Sequence, residues 1–446
     1  MASGPPLGPP FALRSPRPDP SLAHRTASAT LEVRDSTGRP LVDTDVVLAQ
    51  VDHAFGFGCA GFELLPPDPS AGPHASGGDS TAGAEEPDGE HGRTATQWLE
   101  LFNTATLPFY WQQFEPTQGR PQTERLREGA RWFRERGVRV KGHPLVWHTL
   151  APGWLLGRDP EEVERLLRER ITREVSDLAG LVDTWDAINE VVIMPVFTAE
   201  DNAVTPLARR LGRIGMVRLA FETARAANPS ATLLLNDFDL STAYDTLVEG
   251  VLDAGIQVDA LGLQSHMHQG WWGTEKTLEV LERFSRYGLP LHLTETTLVS
   301  GDLMPEDVVD LNDHVVEPGG WPSTPEGEAR QAQELEQHYR TVLSHPSVES
   351  LTWWGLWDQG AWLNAPAGLV RADGTPKPAY EALRRLVKEE WWLSPTTART
   401  DAQGRVPLSG WHGRYAVRLP GGTEAATVEL TPGADHLLAR LHPDPA

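Results

Sequence analysis

Between about residues 53 and 392, short apolar runs alternate with stretches whose apolar residues recur every three or four positions. The clearest such stretch, residues 159–182, predicts an amphipathic helix. Asp159 is expected to cap its first turn, with Glu162 completing a capping-box-like arrangement. The expected buried stripe of this helix is Val163, Leu167, Ile171, Val175, Leu178 and Val182.

Eight apolar runs in the same region predict β-strands, and helical stretches separate most of them. Two further predicted helices cover residues 123–137 and 324–346. Eight strands that alternate with helices favour an α/β fold, a closed (β/α)8 TIM barrel. The predicted strands are residues 54–60, 104–111, 138–148, 184–190, 231–237, 260–266, 291–295 and 350–358.

The two ends of the chain predict a second, smaller unit. Residues 30–51 read as two strands joined by an Asp-x-x-Gly-Arg turn, which predicts a hairpin, and residues 398–419 repeat the pattern. We therefore expect residues 28–52 and 394–446 to form a small β-sandwich module and residues 53–392 to form a catalytic barrel. The sequence leaves two roles possible for this module, packing against other parts of the chain and carbohydrate binding.

Two segments are predicted to be disordered. Residues 1–27 are rich in Pro, Ser and Arg and show little periodicity. Residues 66–92 form a low-complexity, acidic insertion within the predicted barrel. Neither segment carries chemistry that points to a function.

Composition narrows the class of partner. The net charge of -23 over 446 residues argues against nucleic acid and against an anionic membrane, and it suits a neutral substrate. No run is long enough to cross a bilayer. Cys59 is the single cysteine, so no intrachain disulfide can form. The N-terminal residues lack an apolar signal-peptide core, which predicts a cytoplasmic protein, or a secreted one if the true start differs. The sequence makes no prediction of oligomeric state.

Polar side chains end most of the predicted strands, and a barrel would gather them at one face. Asp186, Asn189 and Glu190 interrupt an apolar run, where burial is unfavourable unless they are partnered or needed. Glu190 closes one strand and Glu295 another. Hydrolysis of a glycosidic bond uses one acid and one carboxylate that attacks or activates water, so this pair is the candidate catalytic pair. The polar strand ends are His143 with His148, Asn189 with Glu190, Asn236 with Asp237, Gln264 with His266, Glu295, and Asp358.

Neighbouring side chains are candidate substrate contacts. Asn189 is placed to hold a sugar hydroxyl. Gln264 and His266 alternate along one strand and therefore share a face, from which they would orient the nucleophile. The aromatic residues expected to wall the sugar are Trp147, Trp354 and Trp362.

The histidines allow a rival interpretation. His266 and His268, together with His143, His148 and Asp237, are residue types that bind a divalent metal in barrel hydrolases. The glycosidase hypothesis needs no metal and no cofactor. A third hypothesis is a barrel that binds sugar without turnover, and the presence of both glutamates argues against it.

Taken in order, these motifs resemble glycoside hydrolase family 10, best known as endo-β-1,4-xylanases, over about residues 53–392. The resemblance implies a (β/α)8 barrel and a retaining mechanism, with Glu190 as acid/base and Glu295 as nucleophile. It also implies that one set of residues lines the subsite of bond cleavage, namely His143, Trp147, Asn189, Gln264, His266 and Trp354, with Trp362 close by. The matching phrases are KGHPLVWH (141–148), WDAINE (185–190), LLLNDFD (233–239), GLQSHMH (262–268), LTE (293–295) and TWWGLWDQGAWL (352–363).

Two positions depart from that family. The second strand of the xylanases carries a Glu-Asn pair followed by a Lys, where this chain has Thr106, Leu107 and Tyr110. The Asp that usually follows the nucleophile by two residues is Thr297. The expected function is a retaining β-glycoside hydrolase with a carbohydrate substrate, and endo-β-1,4-xylanase is the leading candidate. The alternatives are a different sugar specificity and sugar binding without turnover.

Overall fold

The computed structural model of this protein describes residues 19–67, 90–314, 316 and 320–441. The described residues form two compact units, one within Phe55–Leu386 and a second within Met1–Ala54 and Val387–Ala446. The boundaries expected from the sequence lie at residues 52/53 and 392/394.

The predicted disordered segments lie partly outside the described residues, which exclude 1–18 and 68–89. Where they are described, the structure differs from the prediction. Pro20–Arg25 is a short 3₁₀ helix that leads into a strand beginning at Thr26. A helix begins at Glu90, inside the predicted insertion.

Sixteen strands and nine α-helices occur in the described part of the chain. The strands are β1 Thr26–Asp35, β2 Asp45–His53, β3 Gly56–Ala60, β4 Thr104–Pro108, β5 Arg139–His143, β6 Thr184–Asn189, β7 Thr232–Asp237, β8 Ala260–Leu263, β9 His266–Met267, β10 Leu291–Leu298, β11 Val348–Trp353, β12 Thr396–Arg399, β13 Arg405–Trp411, β14 Gly413–Arg418, β15 Ala425–Leu430 and β16 His436–Leu441. The helices are α1 Glu90–Leu101, α2 Trp111–Phe114, α3 Thr123–Glu135, α4 Pro160–Asp177, α5 Val204–Ala227, α6 Thr242–Asp253, α7 Gly273–Ser285, α8 Pro325–Ser344 and α9 Pro378–Arg385. No helix in the described ranges is both long and apolar enough to cross a membrane.

The larger unit is a closed parallel barrel. Strands β3 to β8, β10 and β11 pair in that order, and β11 pairs back onto β3. The short strand β9 extends beside the last residues of β10. Each barrel strand overlaps one of the eight predicted runs, and helices connect them, so the prediction of a (β/α)8 barrel is confirmed. A closed parallel barrel turns the carboxyl ends of all its strands to one face, where active sites of this fold lie.

The helix predictions were confirmed in position but not in every detail. In α4 the predicted stripe of apolar residues is buried, and α3 ends before Gly137, whose φ of 77° suits glycine. The predicted cap of α4 is wrong, because the Asp159 side chain makes no capping hydrogen bond. Glu162 instead pairs with Arg165 at 2.9 Å. Helix α4 also ends at Asp177, five residues before the predicted end, although Leu178 and Val182 remain buried.

The smaller unit contains strands from both ends of the chain in two sheets, ordered β13-β1-β16 and β12-β2-β14-β15. The predicted hairpin is therefore wrong: β1 and β2 are strands, but they lie in different sheets. The two Asp-x-x-Gly-Arg turns do share one geometry, since Asp35 and Asp401 each accept backbone hydrogen bonds from two and four residues ahead. Apolar residues of both sheets form the core, chiefly Leu31, Val33, Val46, Leu48, Leu408, Tyr415, Val417 and Leu430.

Candidate active site

Glu190 lies at the carboxyl end of β6, at the mouth of the barrel. Its backbone has φ of 55°, a left-handed conformation that costs of order 1 kcal/mol for a residue other than glycine. The Glu190 N–H donates to the carbonyl of Asn236 at 2.9 Å, which holds this turn against β7. The conformation lets the chain leave the strand while its carboxylate stays among the strand ends.

The carboxylate of Glu190 accepts three hydrogen bonds. Trp147 Nε1 donates to Oε2 at 2.8 Å. Asn189 Nδ2 and Gln264 Nε2 each donate to Oε1 at 3.2 Å. Three of the predicted substrate-contact residues therefore surround one predicted catalytic residue.

Glu295 is buried in β10, with contacts on both carboxylate oxygens. Asn236 Nδ2 donates to Oε1 at 2.9 Å, and His266 Nε2 lies 3.2 Å from Oε2. His143 Nδ1 is 4.0 Å from Oε1. The sequence analysis expected Gln264 and His266 to orient the nucleophile. His266 lies at Glu295, whereas Gln264 bonds Glu190 instead.

Asn236 links the two glutamates. Its Nδ2 donates to Glu295 and also, at 2.8 Å, to Asn189 Oδ1, while Asn189 bonds Glu190. Its Oδ1 accepts from Thr294 Oγ1 at 2.6 Å. Gly262 on β8 makes room for the amide, because a Cβ there would lie 2.4 Å from Asn236 Oδ1. Asn236 was among the polar strand ends in the sequence but was not selected as a site residue; its position after an apolar run was the available signal.

The two glutamates have opposite pKa shifts. Burial raises the pKa of Glu190 to about 7, and the charge of Glu295 adds to this effect. Burial also acts to raise the pKa of Glu295, but the charge of His143 and the hydrogen bond and charge of His266 outweigh it and hold that pKa below the ordinary value. At a pH between the two values, Glu190 carries a proton and Glu295 is ionised.

Asp186 explains the buried carboxylate in the run that leads to Glu190. Its Oδ2 lies 2.8 Å from Lys141 Nζ and 2.7 Å from His143 Nδ1. Burial acts to raise its pKa, but the charge of Lys141 and the contact with His143 hold the value below the ordinary one. The carboxylate therefore fixes the His143 ring beside Glu295, which is a positioning role.

Aromatic side chains surround the pair. Trp354 meets the His143 ring edge-on, with centroids 5.3 Å apart, and Trp362 lies 4.8 Å from the His266 ring. Phe62 packs edge-on against Trp354 at 5.6 Å and was not selected from the sequence. Of the three predicted tryptophans, Trp147 therefore bonds a catalytic carboxylate directly, and Trp354 and Trp362 contact the histidines beside the other one.

Other polar strand ends face elsewhere. His148 packs on Phe197 at 4.2 Å, and burial lowers its pKa to about 4. Asp237 accepts backbone hydrogen bonds from Val192 and Asp239. Asp358 forms an ion pair with Lys377 at 2.6 Å. Within the ranges that the structure describes, no three His, Cys, Asp or Glu side chains lie close enough to hold a metal. The rival metal interpretation therefore finds no donor set there.

The two departures from the family pattern have distinct environments. Thr106 and Leu107 are fully buried in β4, whereas Tyr110 is partly exposed beyond its end. Thr297 Oγ1 accepts from the Met267 N–H at 3.1 Å and lies 3.4 Å from Nδ1 of both His266 and His268. Because the backbone N–H occupies the oxygen as acceptor, the hydroxyl hydrogen is available to a histidine Nδ1. Donation to His266 would leave the proton of that ring on Nε2, facing Glu295.

The chain is similar in sequence and in fold to several known proteins. Endo-1,4-beta-xylanase B of Thermotoga neapolitana is 26% identical over 296 residues, 63% of this chain and 78% of that enzyme. The anti-sigma-I factor RsgI6 of Acetivibrio thermocellus is 25% identical over 427 residues, 93% of this chain but only 48% of that protein. A solved structure described as GH10 from Paenibacillus barcinonensis shares the fold, with a TM-score of 0.59 and 23% identity over 75% of this chain and 95% of that one.

The sequence profile of glycosyl hydrolase family 10 matches residues 101–386. That range covers more than half of the chain and includes seven of the eight barrel strands and both glutamates. The resemblance seen in the sequence motifs is thereby confirmed: the chain belongs to glycosyl hydrolase family 10.

Proposed function

We propose that this protein is a retaining β-glycoside hydrolase and that its substrate is β-1,4-xylan. One observation carries the proposal: two buried glutamates at the barrel mouth, linked through Asn189 and Asn236, have pKa values shifted in opposite directions. A glycosidase needs one protonated and one ionised carboxyl group at the same time. The xylanase names of the relatives support xylan as the substrate.

In the first step, the ionised Glu295 attacks the anomeric carbon of the sugar. The bond from that carbon to the leaving oxygen breaks, and Glu190 transfers its proton to the leaving oxygen. The products of this step are a free reducing-side sugar and a glycosyl ester on Glu295. A pKa of about 7 keeps Glu190 protonated below neutral pH and still allows transfer of its proton.

In the second step, Glu190 is a carboxylate and takes a proton from water. The water oxygen attacks the anomeric carbon, the ester bond breaks, and Glu295 is released as a carboxylate. Two displacements at one carbon retain the β-configuration. Both glutamates then have their starting charge.

The surrounding side chains orient these groups and the sugar. Gln264 and Trp147 hold the Glu190 carboxylate, and His266 holds that of Glu295. Asn189 contacts Glu190, and in the proposed complex its amide also reaches a sugar hydroxyl. His143, Trp354 and Trp362 form the walls of the sugar subsite.

The test is the stereochemistry of the first product. Proton NMR of xylohexaose hydrolysis should show the β-anomer of the new reducing end before mutarotation, and Glu295→Ala should show no product. First appearance of the α-anomer would contradict the retaining mechanism. A parallel screen of aryl β-glycosides and β-linked polysaccharides would show whether another sugar is the better substrate.

Sugar binding without turnover is the second candidate, and a specific observation favours it. A relative that matches 93% of this chain is named as an anti-sigma factor and not as a xylanase. This candidate would be supported over the first if the wild type binds xylo-oligosaccharides but, like Glu295→Ala, shows no turnover of them.

A further inference from the structure

Tyr110 stands beside both catalytic candidates, just after β4. Its ring meets His143 edge-on with centroids 5.6 Å apart, and it lies 5.7 Å from the Trp147 ring. His143 is one neighbour of Glu295, and Trp147 is one of the hydrogen-bond donors to Glu190. The Tyr110 ring is therefore held by the same side chains that contact the two carboxylates.

The hydroxyl of Tyr110 has no hydrogen-bond partner among the described residues. The contrast with the other tyrosines is clear, since four of the six in the chain bond a carbonyl or a carboxylate. Tyr339 also lacks a bond within the described part, but its side chain is fully buried, whereas Tyr110 is partly exposed. A polar group at a cleft without a protein partner is available to a ligand.

The surroundings keep this hydroxyl protonated. Burial raises the pKa of Tyr110, and the negative charges of Glu295, Glu190 and Asp186 raise it further. The group is therefore a neutral hydrogen-bond donor over the whole range in which the enzyme would work. Its two companions at the departing positions, Thr106 and Leu107, are fully buried, whereas Tyr110 is partly exposed.

We propose that Tyr110 is a specificity-determining residue, whose hydroxyl donates a hydrogen bond to a ring hydroxyl of the sugar attacked by Glu295. The inference rests on the proposed function and deepens it. Phe62 also packs against the Tyr110 ring, with centroids 6.1 Å apart and the planes nearly perpendicular. A phenol on a ring held by three aromatic neighbours is a fixed donor, so it selects a sugar with a hydroxyl at one position.

The test combines one variant with altered substrates. Tyr110→Phe removes only the oxygen, and because that oxygen has no partner in the described structure, the variant should match wild type in thermal stability. The substrates are an aryl β-xylobioside and its analogues deoxygenated at C2 or at C3 of the sugar that carries the aryl group. Tyr287→Phe is the matched control, since its hydroxyl bonds Asp245 on the outside of the barrel.

The expected result is a loss of about tenfold in kcat/KM for Tyr110→Phe on the parent substrate. On one deoxy analogue, the wild type should fall by a similar factor and Tyr110→Phe should show no further loss. If Tyr110 had only a structural role, Tyr110→Phe would lower kcat/KM by the same factor on all three substrates. Equal kcat/KM for Tyr110→Phe and wild type on every substrate would overturn the proposal while leaving the proposed function intact.

Binding separates this proposal from the function on which it rests. Xylohexaose is titrated calorimetrically into wild type and Tyr110→Phe. If wild type binds without turnover, the hydrolase proposal fails, and a roughly tenfold weaker binding by Tyr110→Phe still supports the contact. Equal binding by the two proteins overturns the contact. Absence of both binding and turnover in wild type overturns both proposals.

Discussion

Strands β6, β7 and β10 bring a connected hydrogen-bond network to the barrel mouth, whereas β4 brings a single phenol that no described residue bonds. The first region agrees with the family pattern at Asn189, Glu190 and Glu295, and the second departs from it. In the proposed mechanism, the side chains that form and break bonds are therefore held by protein hydrogen bonds. The phenol proposed to contact the sugar is left open for a ligand.

The largest effect should come from the nucleophile. Glu295→Gln keeps the size and the contact with Asn236 but cannot form the glycosyl ester, so kcat/KM should fall on the order of 10⁵-fold. Turnover of 2,4-dinitrophenyl β-xylobioside measures this loss. Glu222→Gln, at an exposed ion pair on α5, is the control and should keep full activity. Activity of Glu295→Gln within tenfold of wild type would contradict the assignment.

The acid/base residue should show a loss that depends on the leaving group. Glu190→Gln removes the proton donor, so hydrolysis of unactivated xylo-oligosaccharides should fall about 10³-fold. A dinitrophenyl leaving group needs no proton, so the first step with it should be almost unchanged. Pre-steady-state release of dinitrophenolate measures that step. An equal loss with both kinds of substrate would count against the role.

The bridging amide should show an intermediate loss. Asn236→Asp is isosteric but replaces the donor to Glu295 by a second negative charge, which should raise the pKa of Glu295. We expect kcat/KM to fall about 10²-fold and its acid limb to move to higher pH. An unchanged acid limb would show that Asn236 does not act on the nucleophile.

The pH profile of the wild type tests the opposite shifts directly. Activity requires protonated Glu190 and should be lost as pH rises through about 7. Activity also requires ionised Glu295 and should be lost only at a pH below the ordinary glutamate pKa, because the pKa of Glu295 is lowered.

Trp147→Phe removes a hydrogen bond that lowers the pKa of Glu190, so the alkaline limb of kcat/KM should move to higher pH. Movement to lower pH would contradict this assignment.

The smallest effect concerns the family position occupied by Thr297. Thr297→Val keeps the shape but removes the hydroxyl that faces Nδ1 of His266, so His266 should hold Glu295 less firmly. We expect a loss of a few fold in kcat/KM, with the acid limb slightly raised. A Thr297→Val variant identical to wild type in both measurements would show that His266 is positioned by other contacts.

The sequence predicted what depends on local pattern. The eight barrel strands, helices α3, α4 and α8, and the two glutamates were all visible because apolar periodicity and polar strand ends are short-range signals. The hairpin prediction failed for a non-local reason: β1 pairs with β13 and β16, which lie more than 370 residues away. A turn motif predicts that the chain turns but not which strands pair.

The sequence predicted both glutamates and most of their neutral neighbours, among them Asn189 and Gln264, but it missed the role of Asn236. Asn236 bridges three elements, and only the assembled barrel shows that its amide lies between Asn189 and Glu295. Tyr110 was noted only as a departure, because nothing in the sequence shows that its hydroxyl lacks a partner in the described structure. Both halves of the predicted capping arrangement of α4 failed, because Asp159 makes no capping hydrogen bond and Glu162 pairs with arginines instead.

The most direct test of the catalytic pair is to trap the sugar on the enzyme. 2,4-Dinitrophenyl 2-deoxy-2-fluoro-β-xylobioside should form a stable ester, because the fluorine slows both steps and the activated leaving group restores the first. Intact mass spectrometry should show one added fluoro-xylobiosyl group, and peptide mapping should locate it on Glu295. No adduct on wild type, or an adduct on Glu190 or any other residue, would contradict the assignment of Glu295 as nucleophile.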